Sequence, residues 1–183
     1  MSFAVFETPI GHCAIAWSSR GVVRFLLPEE SAAATEERMR ALCPEAQPAA
    51  PRAWVAALVE RVRRHLRGEA DDLLDVPLDV SGLPPFHAAV YEALRRVAAG
   101  TTTTYGALGR KIGGSTGAAR AVGTAMSKNP YPLLVPCHRV VGSDGKLHGF
   151  SAHGGLETKA KLLAIEGRPA AAQQVSLFGE QKG

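Results

Sequence analysis

The sequence predicts an α/β N-terminal domain, a small antiparallel sheet plus helices, followed by a mainly α-helical C-terminal domain. Short apolar segments with strand-like alternation open the chain, and apolar residues at helical spacing dominate the later parts. The proline pair Pro84-Pro85 separates the two patterns, and an Ala- and Gln-rich end follows the last helix. We therefore predict a scaffold domain over residues 1–80, a second domain over 84–167 and a disordered tail over 168–183.

The start of the chain predicts an antiparallel meander. Strands are predicted at residues 3–6, 12–17 and 22–27, with turns at residues 8–11 and 18–21. On the second strand Cys13, Ile15 and Trp17 alternate with His12, Ala14 and Ala16, so the two sets lie on opposite faces of the sheet.

Two helices are predicted in the rest of this half, at residues 31–42 and 52–67, with residues 47–51 as a linker. The second helix has an apolar face formed by Trp54, Val55, Leu58, Val59, Val62 and Leu66. Gly68 ends that helix. Nothing here indicates catalysis, and His12 and His65 are expected at the surface.

The second half opens with a predicted helix at residues 85–99, stopped by Gly100, whose apolar face is Phe86, Ala89, Val90, Ala93, Leu94 and Val97. Two short helices follow at residues 105–112 and 117–126, with Thr103 or Thr104 as N-cap of the first. Because a Gly-rich turn joins them, they predict a helix-turn-helix. The small residues of the second helix suit close approach to a nucleic acid or close packing on another helix.

The last part of this domain predicts a turn, a loop and a helix. Asp144-Gly145 lies between extended segments and predicts a hairpin or small wing. Residues 151–155 form a Gly-containing loop. A final helix over residues 156–165 has Leu156, Ala160 and Leu163 on one face, and Glu166-Gly167 closes it.

Composition excludes several classes of protein. No apolar run reaches the roughly 18–20 residues that span a bilayer and no signal peptide opens the chain, so we expect a cytoplasmic protein without a membrane anchor. Three cysteines make no disulfide framework, and free thiols suit a reducing compartment. The scattered Cys13, Cys43 and His65 lack the spacing of metal ligands, so neither a metal nor another cofactor is expected.

The positive charge is unevenly distributed. Residues 1–83 hold 9 basic and 12 acidic residues, whereas residues 84–150 hold 8 basic and 2 acidic residues. A positive surplus in the second half favours a polyanionic partner such as DNA, although ordinary solvated surface charge explains it equally well.

The stretch from Asn129 to Val141 is the best candidate for chemistry. Pro136 ends an apolar run immediately before Cys137, which predicts a short extended segment leading into a tight turn. His138 follows directly, close enough to act on the thiol through the turn or one water. Such a base matters because only the thiolate is a strong nucleophile, and free Cys has a pKa of roughly 8.5. The alternative is a buried structural cysteine followed by a surface histidine.

These residues carry a resemblance to a known family. The string Pro-Cys-His-Arg-Val, the Asn-Pro eight residues before the cysteine, and the downstream Leu-Leu-Ala-Ile-Glu-Gly together resemble the O6-alkylguanine-DNA alkyltransferases. The match is strongest from Phe86 to Gly167, and the Thr-Pro-Ile-Gly turn at residues 8–11 is similar to that of the family's N-terminal α/β domain. The resemblance implies direct-reversal DNA repair, with an alkyl group moved from O6 of guanine to the protein's own cysteine.

The resemblance also implies roles for individual residues. Cys137 corresponds to the alkyl acceptor, His138 to a base acting through water, and Glu166 to the carboxylate that orients the imidazole. Asn129 corresponds to the residue that braces the active-site turn. Because the product is a thioether with no carbonyl for water to attack, each molecule is expected to act once. A carboxylate at a helix C-terminus is otherwise unfavourable, which suggests a buried partner for Glu166.

The base must leave the DNA stack before it can react, because its target atom is inaccessible within a duplex. By resemblance, Arg120 fills the gap in the stack, and Tyr105 helps rotate the nucleotide and donates to guanine N3. Ser151 contacts O6, and the Val140 carbonyl reads the exocyclic amine. Without the family, a phosphate-contacting Arg and a buried Tyr are the simpler interpretations. The predicted DNA-contacting set is completed by Thr104, Ala119 and Gly123.

The chain departs from the family pattern near the pocket. Phe150 stands where many members have Tyr, and residues 151–155 form a loop about two residues longer than in many relatives. A longer loop could admit larger alkyl groups, or His153 could lean over the pocket. The partner expected is duplex DNA carrying O6-alkylguanine, bound independently of sequence and in a salt-dependent way by a monomer; O4-alkylthymine stays open as a second substrate.

Three other functions are weighed against this one. A lesion-binding relative without transfer would lack the acceptor cysteine, which is present here. A cysteine hydrolase using Cys137, His138 and Glu166 would turn over, and no oxyanion-hole motif is evident. A transcriptional helix-turn-helix protein would need polar base-reading side chains, which residues 117–126 lack.

The tail carries a separate motif. Gln174 followed by Leu177-Phe178 resembles the peptide that binds the bacterial sliding clamp, with Leu-Phe as the apolar anchor and Gln at the pocket rim. The alternative is an apolar segment that docks on the protein's own surface or has no partner.

Overall fold

The computed structural model describes residues 1–114 and 117–167. The N-terminal half contains a four-stranded sheet of β1 (Ser2–Thr8), β2 (Gly11–Trp17), β3 (Val22–Leu26) and β4 (Gln47–Pro48) in the order β3-β2-β1-β4. The predicted antiparallel meander β1-β2-β3 is confirmed. The sheet is nevertheless mixed, because β4 pairs in parallel with β1. Residues 47–48, predicted as linker, are therefore an edge strand, which is too short for alternation to reveal it.

Both faces of this sheet are covered. Helix α1 (Ala32–Leu42) packs over the face that carries Ala14 and Ala16, where Met39 fills the space left by the small side chains. Helix α2 (Ala53–His65) and part of the C-terminal half cover the opposite face, which carries Cys13, Ile15 and Trp17. The predicted alternation on β2 therefore separates two apolar layers rather than an inside from an outside.

Both helices predicted in this half are confirmed, but one residue predicted on a buried face is exposed. Ser31 caps α1 by accepting a hydrogen bond from the Ala34 backbone N at 3.1 Å. In α2 the predicted residues Val55, Leu58, Val59 and Val62 are buried, but Trp54 is 37% exposed. Trp54 lies in the first turn of the helix, where the apolar pattern does not by itself fix the contact.

The C-terminal half is built from short elements. It contains helices α3 (Pro85–Arg95), α4 (Tyr105–Lys111), α5 (Ala118–Ser127) and α6 (Gly155–Ile165), a 3₁₀ turn (Cys137–Arg139), and strands β5 (Thr103–Thr104) and β6 (Val140–Val141). Helix α3 ends four residues before the predicted Ala99, and the Val97 carbonyl beyond its end accepts a hydrogen bond from the buried guanidinium of Arg139. Phe86 and Leu156, predicted on apolar faces, are 37% and 43% exposed.

Helices α4 and α5 pack against each other through small residues. Of the two predicted caps, Thr103 and Thr104, it is Thr104 that caps α4, by accepting a hydrogen bond from the Ala107 backbone N at 3.1 Å. A Cβ added to Gly109 would lie 2.9 Å from the Ala118 Cβ, so this contact requires glycine. A Cβ on Gly123 would meet nothing within 4 Å. Small residues thus serve helix packing at the start of α5 and leave open space further along it.

The predicted wing takes a different form in part. The turn at Asp144-Gly145 is present, closed by a hydrogen bond from Gly142 N to Lys146 O at 2.9 Å. The strand before it, β6, pairs in parallel with β5, with Thr103 opposite Val140. A parallel pair needs a long connection and gives no local turn signal, so the sequence could not indicate it.

The two halves share one continuous core. The largest hydrophobic cluster joins Ile15 and Phe25 of the sheet to Val135 and Leu162 of the second half. Across the same boundary the Tyr131 hydroxyl donates to the Asp79 carbonyl at 2.6 Å. Among the helices of residues 1–114 and 117–167, none is long and apolar enough to cross a bilayer.

Candidate active site

Cys137 begins the 3₁₀ turn at the centre of the molecule. The loop before it is held by Asn129, whose Nδ2 donates to the Val135 carbonyl at 2.8 Å and whose Oδ1 accepts from the Tyr131 N at 3.0 Å. Leu133 adopts a left-handed conformation with φ of 75°, which only a well-braced loop sustains in a branched residue. The rigid loop fixes the position of the thiol.

His138 follows Cys137 in the 3₁₀ turn and is fully buried. Its Nε2 is 2.8 Å from Oε1 of Glu166, the residue that follows α6. Its Nδ1 is also buried and has no hydrogen-bond partner within the described part of the chain. With Nε2 donating to the carboxylate, the neutral ring carries a free lone pair on Nδ1 and can accept a proton.

Glu166 is the centre of a charged network, and its own side chain is 1% exposed. Arg139 donates to it through Nε and Nη2, at 3.0 Å to Oε2 and 2.8 Å to Oε1. Arg139 also pairs with Asp72 at 3.2 Å, and the Gly100 N donates to Oε2 at 3.4 Å. The sequence predicts a buried partner for Glu166, because a carboxylate at a helix C-terminus is otherwise unfavourable. The buried cation Arg139 is that partner.

His65 also contacts Glu166, which corrects its predicted surface position. Its Nε2 is 3.1 Å from Oε1 of Glu166, and its side chain is 2% exposed. His65 is the last residue of α2, and it continues the helix face of Leu58 and Val62 that packs inward. The helical spacing of His65 with these apolar residues was the available signal.

The charges of the site act in opposite directions on its ionisable groups. Burial alone would raise the pKa of Glu166, but hydrogen bonds from His138, His65 and Arg139 outweigh it and hold that pKa well below its usual range. Burial lowers the pKa of His138, so its neutral form is favoured. Burial raises the pKa of Cys137, so the resting residue is a thiol that needs a base.

Lys159 is a site residue that the sequence interpretation missed. It lies on α6, is fully buried, and its Nζ donates to the His148 carbonyl at 2.6 Å. Burial lowers its pKa to about 8, and its positive charge works against the rise in the pKa of Cys137. Lys159, Leu163 and Glu166 follow the i, i+4, i+7 spacing of one helix face, which was the signal for its burial.

One cavity beside Cys137 collects several predicted substrate residues. It has a volume of about 450 Å³ and is lined by Tyr105, Gly123, Met126, Ser127, Cys137 and residues 148–151. The Tyr105 hydroxyl donates to the His148 carbonyl at 3.2 Å, and burial raises its pKa. An open concavity continues from it, lined by the predicted DNA-contacting residues Thr104, Tyr105, Ala119, Arg120 and Gly123.

A second cavity lies on the other side of the loop at residues 150–153. It also touches Cys137, has a volume of about 210 Å³, and is lined by Arg24, Arg38 and Pro132 among others. His153 is among its lining residues, with its Nδ1 3.6 Å from Oε2 of Glu29. Glu29, Glu30 and His153 bring three potential ligand atoms within 4.8 Å, but such exposed acidic groups are common without a metal.

The remaining predicted site residues take separate positions. Ser151 is exposed and lines both cavities. Val140 is buried in β6, paired with Thr103. Arg120 is exposed on α5. Gln174, Leu177 and Phe178, together with the predicted tail at 168–183, lie outside the described residues.

Comparison with known proteins agrees with this geometry. Residues 85–168 match the family model described as 6-O-methylguanine DNA methyltransferase, DNA binding domain. The chain is 45% identical over 132 residues to the DNA base-flipping protein of Thermus thermophilus, covering 70% of this chain and 86% of that protein. It is 33% identical over 175 residues to the methylated-DNA–protein-cysteine methyltransferase of Methanosarcina acetivorans, covering 91% and 99%.

Solved structures give the same result. The crystal structure of Mycobacterium tuberculosis OGT in complex with DNA has a TM-score of 0.74 and 30% identity, with 91% of this chain and 93% of that chain covered. The relative from Methanosarcina acetivorans is matched along nearly its whole length. The predicted resemblance is thereby confirmed, and the chain belongs to the methylated-DNA–protein-cysteine methyltransferase family.

Proposed function

We propose that this protein repairs DNA by moving an alkyl group from O6 of guanine to Cys137, once per molecule. The observation that carries the proposal is the orientation of His138. Its Nε2 is hydrogen-bonded to Glu166, and its buried Nδ1 has no hydrogen-bond partner among the described residues. The residue that precedes His138, Cys137, is a thiol that needs deprotonation. A catalytic base has this arrangement, and a structural histidine would have both nitrogens satisfied.

The proposed reaction balances without a cofactor. His138 takes the Cys137 proton, directly or through one water, and Glu166 stabilises the resulting imidazolium. The thiolate sulfur attacks the alkyl carbon in line, an S–C bond forms, and the bond between that carbon and guanine O6 breaks. The electron pair stays on the guanine, which takes up a proton. Tyr105, in the cavity that Cys137 lines, is the proposed donor to the leaving base.

The surface beside this cavity supports duplex DNA as the partner. Thr104, Ala119, Arg120 and Gly123 line one concavity that continues from the Tyr105 cavity, where an extruded nucleotide would enter. Arg120 is the exposed cation on α5 and is proposed to occupy the space left in the stack. The Ser151 hydroxyl and the Val140 carbonyl are proposed as contacts to the base, and Asn129 as the brace of the loop.

The direct test is mass spectrometry of the intact protein after incubation with duplex DNA containing O6-methylguanine. We expect one added methyl group, mapped to Cys137, which saturates at one per protein. Cys137→Ser should form no adduct, and Cys43→Ser, which alters another buried thiol, should react normally. Continued turnover beyond one equivalent would favour a hydrolase and contradict the proposal.

A second candidate function is lesion binding without transfer. The similarity to a protein named DNA base-flipping protein favours it, because that name does not include transfer. Tight binding to O6-methylguanine DNA with no adduct on Cys137 would establish this candidate instead. The acceptor cysteine and its histidine favour transfer.

The role of Arg120 can be tested by its removal. Arg120→Ala should slow transfer from duplex DNA by roughly tenfold or more, and transfer from a single strand much less, because only the duplex must be opened. Arg96→Ala removes an exposed arginine that pairs with Glu92 on the surface, and it is the matched control. An equal loss on both substrates would assign Arg120 to phosphate contact alone.

We also propose that the tail residues Gln174, Leu177 and Phe178 bind a bacterial sliding clamp. A peptide of residues 170–183 should bind purified clamp, and Phe178→Ala should abolish binding because it removes the apolar anchor. Glu180→Gln is the control. Wild-type affinity in the Phe178→Ala peptide would overturn this proposal without affecting the repair reaction.

A further inference from the structure

His65 connects the N-terminal half directly to the Glu166 carboxylate. His65, at the end of α2, lies 3.1 Å from the same Oε1 of Glu166 that His138 contacts at 2.8 Å. Both imidazoles are buried, with side-chain exposures of 2% and 0%. Two histidines from different halves of the chain therefore share one carboxylate oxygen.

The second ring nitrogen of His65 determines which atom carries its proton. The Asp71 backbone N donates to Nδ1 of His65 at 3.3 Å, so Nδ1 must be an acceptor. In the neutral ring Nε2 then carries the hydrogen and donates it to Glu166. The loop at Asp71 is itself held by Arg61, which bonds both Asp71 and Asp75 at about 2.8 Å. His65 is thus oriented from both sides.

We infer that His65 is a positioning residue for alkyl transfer, which fixes Glu166 against His138 by donating a hydrogen bond from the N-terminal half. The inference rests on the proposed function, since it concerns the base of that reaction. It assigns the N-terminal half a part in the reaction, through Glu166 and His138, in addition to its structural role.

The hydrogen bond also tunes the base. A donor on Oε1 withdraws electron density from the carboxylate, so Glu166 holds a proton on His138 less strongly than it would with His138 alone. Removal of His65 should therefore raise the pKa of His138 and protonate the base at a higher pH. Glu166 contacts both imidazoles, and Arg139, paired with Asp72, donates to the same carboxylate. Asp71 lies beside His65, and Cys137 precedes His138.

The experiment compares His65→Leu with His65→Gln in single-turnover transfer across a range of pH. His65→Leu removes the donor and should slow transfer by roughly tenfold at pH 6, with the acid limb of the pH profile moved upward. His65→Gln keeps an amide N–H near the position of Nε2 and should restore most of the rate and the original limb. Val59→Ala, a buried change on the same helix, is the control for stability alone.

A purely structural role for His65 gives a different result. In that case both His65 variants and Val59→Ala would lower the melting temperature, and the acid limb would stay where it is in the wild type. That outcome, or equal slowing by Leu and Gln with no pH shift, would overturn the inference. Melting curves recorded for each variant show that the rates are measured on folded protein.

A second readout is independent of DNA. Alkylation of Cys137 by iodoacetamide, followed by peptide mapping, reports the thiol and its base without any lesion. His65→Leu should shift the pH dependence of this labelling in the same direction as transfer. If the wild type does not transfer methyl groups but the labelling shift occurs, the proposed function fails, and His65 is shown to control the reactivity of Cys137 without alkyl transfer. If transfer occurs and neither profile shifts, the inference fails alone.

Discussion

The regions around Cys13 and Cys137 both bury a free thiol, yet only one is arranged for chemistry. Cys13 lies on β2 with 0% exposure, and its nearest polar contact is the Thr8 hydroxyl at 3.8 Å. Burial raises the pKa of Cys13 to about 12. Burial also raises the pKa of Cys137, but a hydrogen bond from Asn129 and the charge of the buried Lys159 act against that rise. His138 follows this thiol in the chain. Burial alone thus makes a thiol inert, and its neighbours decide whether it reacts.

The two thiols also differ in how accessible their sulfur atoms are. Cys137 lines two cavities separated by residues 150–151, so a substrate can approach its sulfur. Cys13 packs among Phe25 and other core residues of the sheet. The comparison predicts that changes to the surroundings of Cys137 alter reactivity, whereas changes at Cys13 alter stability.

The largest effect is expected from Glu166→Gln. The amide keeps the shape but removes the charge that stabilises the His138 imidazolium, so single-turnover transfer should fall by roughly 10²–10³-fold. The variant should also melt at a lower temperature, because the buried Arg139 loses its closest counter-charge. Glu157→Gln, an exposed change on the same helix, is the control. Transfer at the wild-type rate by folded Glu166→Gln would show that this carboxylate is not the cause of the difference in reactivity between Cys13 and Cys137.

A direct comparison of the three thiols should give a contrast of at least about 100-fold. Iodoacetamide at pH 8 should label Cys137 well before Cys13 or Cys43, since reactivity requires access and thiolate. Peptide mapping against time measures the three rates in one sample, and urea-unfolded protein should label all three at similar rates. Equal rates in the folded protein would remove the distinction between the two regions.

The pH dependence of transfer tests the histidine. Burial holds the pKa of His138 below its ordinary value of 6.5, so the neutral, proton-accepting form persists as the pH falls through 6.5. The transfer rate should therefore fall to half of its plateau value only at a pH below 6.5, where His138 becomes protonated. Single-turnover rates between pH 5 and 8 give the profile. A half-maximal point above 6.5 would mean that Glu166, not burial, controls the imidazole.

The smallest effect is expected from Cys13→Ala. Loss of a buried sulfur should lower the free energy of unfolding by about 1 kcal/mol, and the transfer rate should be unchanged. Urea unfolding and single-turnover assays measure the two quantities. A slower transfer in this variant would mean that the core of the sheet controls the position of Cys137, which the separation of the two regions does not predict.

The sequence alone determined the local elements and the reactive stretch. Alternation located β1 to β3, helical spacing located α1 and α2, and the caps Ser31 and Thr104 marked helix starts. These features depend on contacts within a few residues, which the order of side chains expresses directly. The turn at Cys137 and His138 could also be predicted from the sequence, because each proline restricts its own backbone and that of the residue before it.

Only the tertiary structure decided which distant groups complete the site. His65 and Glu166 are 101 residues apart, and Arg139 pairs with Asp72 across 67 residues. Periodicity indicates which face of a helix is buried, but it does not identify the partner of a buried polar residue. The sequence alone therefore neither pairs His65 with Glu166 nor assigns Lys159 to the site. A buried polar group needs a partner that offsets the cost of its burial, and that partner determines its role. The packing of the two halves decides which group becomes the partner.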